Sequence, residues 1–209
     1  MKLIAAGRAS EIFDLGDGRV LRRFRAGGDP EREALVMGHA RANGYPVPRV
    51  LEVAADSLVL ERIEGPTMLA DLWHRPWKLR HHARALADLH ERLHAIEAPE
   101  HLPPAGSGDR VLHLDLHPEN VILSPSGPVV VDWTNARRGH PALDVAMTWL
   151  ICATSGGLPG RVFVRAFLPR FDRASIVRAL PAAAERRVAD VNVTDRERDR
   201  VRRLLDRGR

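Results

Sequence analysis

The stretch from His113-Leu-Asp115-Leu-His117-Pro-Glu-Asn120 to Asp132-Trp133 constrains the fold more than any other part of the chain. It crowds two carboxylates, an amide and two imidazoles around one short strand-loop-strand. Val111-Leu112 leads in and Val121-Ile-Leu123 leads out. Ser124-Pro-Ser-Gly-Pro128 reads as a turn, and Val129-Val-Val131 carries Asp132 to the end of a second apolar strand. Apolar strands must be buried, so the polar groups at their ends mark a site.

Asp115, Asn120 five residues on, and the later Asp132 fit the spacing of a phosphoryl-transfer core. In such a core one Asp takes the acceptor hydroxyl's proton, while an Asn and a second Asp hold metal. The motif H-x-D-L-H-P-x-N, the strand ending in Asp132-Trp133, and Gly139-His-Pro-Ala-Leu-Asp144 together resemble the aminoglycoside phosphotransferase/choline kinase superfamily, the small-molecule branch of the protein-kinase-like fold. The resemblance spans roughly residues 5–155. It implies a two-lobed α+β fold, with a small β-rich, nucleotide-binding lobe over residues 1–64. A mainly helical lobe over residues 65–209 would carry the catalytic loop, metal site and acceptor region. It also implies transfer of the γ-phosphoryl of ATP to a hydroxyl of an aminoglycoside-, choline- or sugar-like small molecule. Asp115 would be the base, and Asn120 and Asp132 the Mg²⁺ ligands. Only eleven residues separate Asp132 from Asp144, too few for the long activation segment of a protein kinase, which favours a small acceptor. Leu114 stands where the family more often has Gly, so a departure of the local backbone is expected there. By the same resemblance His113 braces the catalytic loop. Asp144 is expected to cap that loop's amides, and His117 to orient it.

The nucleotide side needs a cation on the third strand and a helix carboxylate to hold it. Lys2 and Lys78 are the only lysines and both are misplaced, which leaves Arg22 or Arg23 in Val20-Leu-Arg-Arg-Phe24. Strand alternation puts these two on opposite faces. The resemblance favours Arg22 as the phosphate clamp, with Glu33 as its partner. Arg keeps the charge and grips oxygens through a fork, at the cost of greater bulk. Gly7-Arg-Ala-Ser10 looks like a reduced phosphate-covering loop that brings Ser10 to the nucleotide. The backbone of Glu61 and Ile63 would meet the adenine edge, with ATP the default over GTP.

Three other readings compete. His113, Asp115 and His117 alternate, so in an extended strand they would face one way and could hold a hydrolase metal. His90-Glu-Arg-Leu-His94 spells H-E-x-x-H, the zinc-peptidase pattern, with His140 or Asp115 as a conceivable third ligand. Against the peptidase, Leu86, Leu89 and Leu93 make a packing stripe and the G-x-x-H continuation is absent, so packing is the expected role of this His pair. The third rival is a nucleotide-binding protein that keeps the fold without turnover. Arg22 and Leu114 favour it; the intact Asp115, Asn120 and Asp132 oppose it.

With 209 residues, 44% hydrophobic and 28% charged, the composition is that of an ordinary globular protein. The single Cys152 excludes an intramolecular disulfide and sits in an apolar stretch suited to helix packing, one too short to span a bilayer. The start of the chain shows no processing signal, so no membrane association and a cytoplasmic location are expected. Net charge is +5, and residues Glu185 to Arg209 hold nine Arg against six acids. There the signs interleave, with a Thr194-x-x-Glu197 capping box and Val201, Leu204 and Leu205 on one stripe, which reads as a solvated amphipathic helix rather than a nucleic-acid surface.

Along the chain, strands are expected over Lys2 to Ala6, Glu11 to Leu15 and Arg19 to Phe24, the last two joined through Gly16-Asp-Gly18. Asp29-Pro30 opens a helix that Asn43-Gly44 ends. A second hairpin covers Arg49 to Val53 and Ser57 to Arg62, and Glu64-Gly-Pro66 makes the hinge. Thr67 caps a short helix, and Pro76 starts a longer one with Leu79, Ala83, Leu86, Leu89, Leu93 and Ile96 at helical spacing. From Leu158 onward the chain reads as helical and unspecific.

Overall fold

The computed structural model describes residues 1–7, 10–25, 28–190 and 193–206. Its first lobe is a five-stranded antiparallel sheet in the order β1-β2-β3-β5-β4, formed by β1 (Lys2–Ala6), β2 (Ser10–Gly16), β3 (Arg19–Phe24), β4 (Val50–Val53) and β5 (Ser57–Glu61). The turn between β2 and β3 is left-handed at Gly16, Asp17 and Gly18, which suits the twist of a hairpin. Helix α1 (Pro30–Ala42) starts where Asp29 accepts a bond from the Arg32 amide at 3.0 Å, and ends at Asn43 before left-handed Gly44. It buries Glu33, Val36, Met37 and Ala40 and packs on β4 and β5. A carboxylate on that buried face is the first structural sign of a site.

Gly65 marks the crossing between lobes. Its φ is +142°, and a Cβ there would fall 2.2 Å from the Leu123 carbonyl oxygen, so only glycine lets the two segments approach this closely. Beyond it come α2 (Met68–His74), capped by Thr67 Oγ1 on the Ala70 amide, a 3₁₀ turn over Pro76–Lys78, and α3 (Leu79–His94). The leucine stripe of α3 is buried as expected. Two small ladders follow. β6 (Arg110–Leu112) pairs with β9 (Arg137–Gly139), and β7 (Val121–Ser124) pairs with β8 (Gly127–Val130). The turn before β8 is tighter than expected, because Gly127 and Pro128 already belong to the ladder.

Helices α4 (Pro141–Ser155), α5 (Gly157–Phe167), α6 (Arg173–Ala189) and α7 (Asp195–Asp206) complete the second lobe. α4 is its axis. It is apolar nearly all round, buries Val145, Ala146, Met147 and Leu150, and packs on α5, α6 and α7. Cys152 lies in this core, where burial pushes its thiol up to about 12, as packing rather than reactivity requires. α7 carries the expected capping box, Thr194 and Glu197 exchanging bonds, and buries Val201. The amphipathic helix expected from Thr194 to Leu205 is α7, while Arg186 and Arg187 before it belong to the end of α6. Among the described residues no helix is long and apolar enough to cross a membrane. The bonds that fasten the lobes include the Val130 amide to the Pro46 carbonyl at 2.8 Å and the Tyr45 hydroxyl to the Leu89 carbonyl at 3.2 Å.

Gly65→Ala should cost more than about 2 kcal/mol of folding stability, since both the positive φ and the backbone contact oppose a Cβ. Urea unfolding measures it, and a change inside the scatter of ordinary surface substitutions would contradict the close approach.

Candidate active site

The loop after β6 is not extended. Leu114 has φ +62°, the left-handed conformation that glycine favours, so the chain turns between His113 and Asp115. The premise that His113, Asp115 and His117 share one strand face therefore fails, and with it the metal-holding trio. His113 Nε2 lies 3.1 Å from the Val131 carbonyl oxygen, while His117 Nδ1 accepts from the Glu119 amide. Burial of both rings pushes them toward the neutral form, His117 down to about 4.

Asp144, in the first turn of α4, holds this turn in place. Its Oδ1 accepts from the Leu114 amide at 2.7 Å, and its Oδ2 from the His113 amide at 3.1 Å and His94 Nε2 at 3.0 Å. Burial opposes ionisation here, but the His94 bond and the neighbouring imidazoles hold the carboxyl far below its ordinary range. His90 faces the same carboxylate from 3.7 Å. Thr148 Oγ1 donates to the Leu116 carbonyl at 2.7 Å, so toward His90 Nε2, 3.0 Å away, it accepts and the proton sits on that nitrogen. Burial pushes His90 down to about 3, which keeps the ring neutral. His90, His94 and Asp144 thus come within 4.8 Å of one another; His94 bonds the carboxylate, while His90 Nδ1 has no hydrogen-bond partner among the described residues. Glu91, which a peptidase would use as base beside zinc, is exposed and pairs instead with Arg170 at 2.6 Å. The H-E-x-x-H letters describe helix packing.

Asp115 is partly buried beside Asp132. Burial first and the Asp132 charge second push its carboxyl up to about 7, against the pull of Arg187 and of the Asn120 bond. Asn120 Nδ2 reaches the Asp115 carbonyl at 2.8 Å and Asp115 Oδ2 at 3.2 Å. Both partners are acceptors, which fixes the amide orientation and leaves Asn120 Oδ1 without a hydrogen bond among the described residues. The Val131 amide bonds the Asn120 carbonyl at 3.0 Å, tying the loop to the segment that carries Asp132.

Arg22 joins the lobes. Its Nη1 meets Glu33 Oε1 at 2.6 Å, its Nη2 meets Asp132 Oδ1 at 2.7 Å and Thr134 Oγ1 at 2.9 Å, and its Nε meets Ser10 Oγ at 3.2 Å. Arg23 is exposed and lies over the Phe13 ring on the other face of the sheet. Burial pushes the Glu33 carboxyl up despite Arg22, yet three donors point at it, from Arg22, the Trp133 amide and Thr134, and the pair stands ionised. Burial also opposes charge on Asp132, and there the Arg22 charge wins, holding the carboxyl below its ordinary value. The direct Arg22–Asp132 pair is a feature that sequence reasoning missed, having placed one residue on phosphate and the other on metal. The forked guanidinium is long enough to serve both carboxylates at once. Thr134 and Thr148 were missed as well, because a single hydroxyl leaves no pattern.

Toward the hinge, the Glu61 amide bonds the Arg49 carbonyl at 2.9 Å, so of its backbone groups the carbonyl is the one left for a ligand; Ile63 follows, partly exposed. Two residues of the Gly7–Ser10 loop, Arg8 and Ala9, lie outside the described residues. Beside Asp115 opens a cleft of about 380 Å³, lined by Leu114, Asn135, Arg137, Met147, Arg186, Arg187 and Asp190 among others. Its arginines were not expected in the site, since α6 gives no motif that would place them.

Comparison with known proteins places this geometry. The model of the phosphotransferase enzyme family matches residues 1–111 and 55–185, and the chain belongs to that family. A choline/ethanolamine kinase family protein from Mesorhizobium loti superposes with a TM-score of 0.67 at 18% identity, over 100% of this chain and 90% of that one. The gentamicin–APH(2")-IIa complex gives 0.68 at 14%, over 99% and 88%. Choline kinase LicA from Streptococcus pneumoniae gives 0.56 at 16%, over 99% and 95%. No curated protein matches the chain. At these identities the likeness establishes the protein-kinase-like α+β fold of the aminoglycoside phosphotransferase/choline kinase superfamily.

Removing Arg22 would leave two carboxylates without their cation, one of them fully buried. Arg22→Ala should cost about 3–5 kcal/mol of stability, whereas Arg23→Ala should stay within about 1 kcal/mol. Denaturant unfolding of both variants tests this, and equal losses would show that the buried network does not carry the difference.

Proposed function

We propose that this protein transfers the γ-phosphoryl of ATP to a hydroxyl of a small molecule. The observation that carries the reading is the linkage of Asp115 with Asn120 and of Asp132 with the Arg22–Glu33 pair in a phosphotransferase-family chain, with the Asp132 charge acting on Asp115. In phosphoryl transfer the protein mainly positions reactants and meets charge. Asp115 takes the proton of the attacking hydroxyl. Its carboxyl, raised to about 7, has the affinity to accept that proton and later release it near neutral pH. Arg22, held by Glu33, brings fixed positive charge to the phosphate side of Asp132.

Asp132 Oδ2 and Asn120 Oδ1 accept no hydrogen bond among the described residues, and both are hard oxygen donors of the kind Mg²⁺ prefers. They fit the metal and would hold it, and bound Mg²⁺ would supply charge neutralisation on the phosphates. The adenine edge is proposed to meet the Glu61 carbonyl and the Ile63 backbone, and Ser10 to lie near the phosphates. A second reading has one observation in its favour. Arg22 already neutralises Asp132, as a non-catalytic nucleotide-binding protein could afford.

Incubating the purified protein with ATP, Mg²⁺ and a panel of hydroxyl-bearing compounds separates the two by release of ADP. Asp115→Asn should lower turnover by roughly 10²-fold or more while ATP affinity changes little, because the amide is nearly isosteric but takes no proton. Unaltered turnover in that variant would remove Asp115 from the chemistry. Asp132→Ala should abolish the gain in ATP affinity that Mg²⁺ confers, and an unchanged Mg²⁺ effect would reassign the metal.

A further inference from the structure

Three guanidiniums converge on the cleft beside Asp115. Arg186 and Arg187 come from the last turn of α6 and Arg137 from the start of β9. Among the described residues Arg137 and Arg186 form no ion pair. The acceptor of Arg137 is the neighbouring Ala136 carbonyl, and burial together with the like charges of Arg32 and Arg186 depresses its basicity. Arg187 stands 3.9 Å from Asp190 and 3.8 Å from Glu197, at the limit of ion pairing, and its Nε is a buried donor with no hydrogen-bond partner among the described residues.

The last carbonyls of α6 favour cations near the helix end, which gives Arg186 and Arg187 a structural reason to be there. That argument does not reach Arg137, which sits on another element and is repelled by its neighbours. We infer that the acceptor is an anionic hydroxyl compound of about sugar size, a sugar acid or sugar phosphate, whose carboxylate or phosphate seats on Arg137, Arg186 and Arg187 while its hydroxyl faces Asp115. This rests on the reading of Asp115 as the base. Guanidinium forks match both anions in geometry, and a cleft of about 380 Å³ admits a ligand of this size. A cationic acceptor would meet like charge from two elements. In the step itself the hydroxyl oxygen bonds to Pγ, the bond from Pγ to the bridging oxygen breaks, ADP leaves with that electron pair, and the hydroxyl proton passes to Asp115.

A matched series isolates the charge: glucose, glucosamine, glucuronate and glucose 6-phosphate, each titrated calorimetrically into ATP-loaded protein with ADP release followed in parallel. Glucuronate or glucose 6-phosphate should bind at least about ten-fold more tightly than glucose, with glucosamine weakest. The better of the two anions tells carboxylate from phosphate. Arg186→Glu, on an exposed side chain, should reduce the anion-to-glucosamine affinity ratio at least about ten-fold, and Arg137→Gln should also reduce it. Equal affinities across the series, a preference for glucosamine, or a ratio indifferent to both substitutions would overturn the inference. Anion preference without any ADP release would leave it standing and refute phosphoryl transfer instead.

Discussion

One buried carboxylate holds the loop after β6 in its turned shape. Asp144 accepts both amides of the His113–Leu114 turn and pairs with His94 on α3, so three segments are registered against one another by a single side chain. The turn is costly by itself, since a left-handed non-glycine residue is disfavoured by about 1–2 kcal/mol. Two charge-assisted bonds and burial of the Leu114 side chain offset that cost. Asp132 is also left-handed, at φ 64°, and it too is fixed through its side chain, by Arg22. Asp132 and Leu114, the neighbour of Asp115, are thus the two strained points of the site, each restrained by a partner from another element.

The Arg22 network sets the relation between lobes. Charges this deep are seldom the most stabilising choice, because desolvation consumes most of the Coulombic gain. What the network supplies is orientation. Glu33 comes from α1, Ser10 from β2 and Asp132 from the second lobe, and the planar fork satisfies all three only in one arrangement. Lysine would meet them with one compact ammonium and less reach. Where this chain departs from the lysine pattern, it gains a direct link from the sheet to Asp132.

Local chemistry made most of the fold legible. Asp29-Pro30, Gly16-Asp-Gly18, Thr67 and the leucine stripe of α3 each specify their element through contacts a few residues away. Strand alternation put Arg22 and Arg23 on opposite faces for the same reason, the resemblance chose Arg22, and it is Arg22 that is buried against Glu33. The unread features are long-range. Arg22 reaching Asp132 spans the two lobes, and Glu91 turning to Arg170 rather than toward His90 and His94 depends on how α3 packs. That Asp144 caps the amides of the loop was expected and is observed, whereas Leu114 keeping a glycine-like φ there was not read. The arginines at the end of α6 were not placed at the site, because nothing near them in sequence shows that the end of that helix borders Asp115.

The charges around Asp115 complete the physical argument for the cleft. Its proton affinity is raised by burial and by Asp132 and lowered by Arg187, so the proposed base stands between the anion of Asp132 and the cation of Arg187. An anionic group seated on Arg187 would screen that cation and leave the carboxylate with greater affinity for a proton. Magnesium on Asp132 would act in the opposite sense from the other side. The two ligands would thus tune the base in opposition, and Asp115 would feel both effects at the moment when acceptor and nucleotide are bound together. A cationic acceptor would add its charge to those of Arg187 and the metal, weakening the base when it is needed. On the proposed reading the arginine wall and the raised carboxyl of Asp115 belong to one electrostatic arrangement, in which the charge of an anionic acceptor would help to set the strength of the group that deprotonates it.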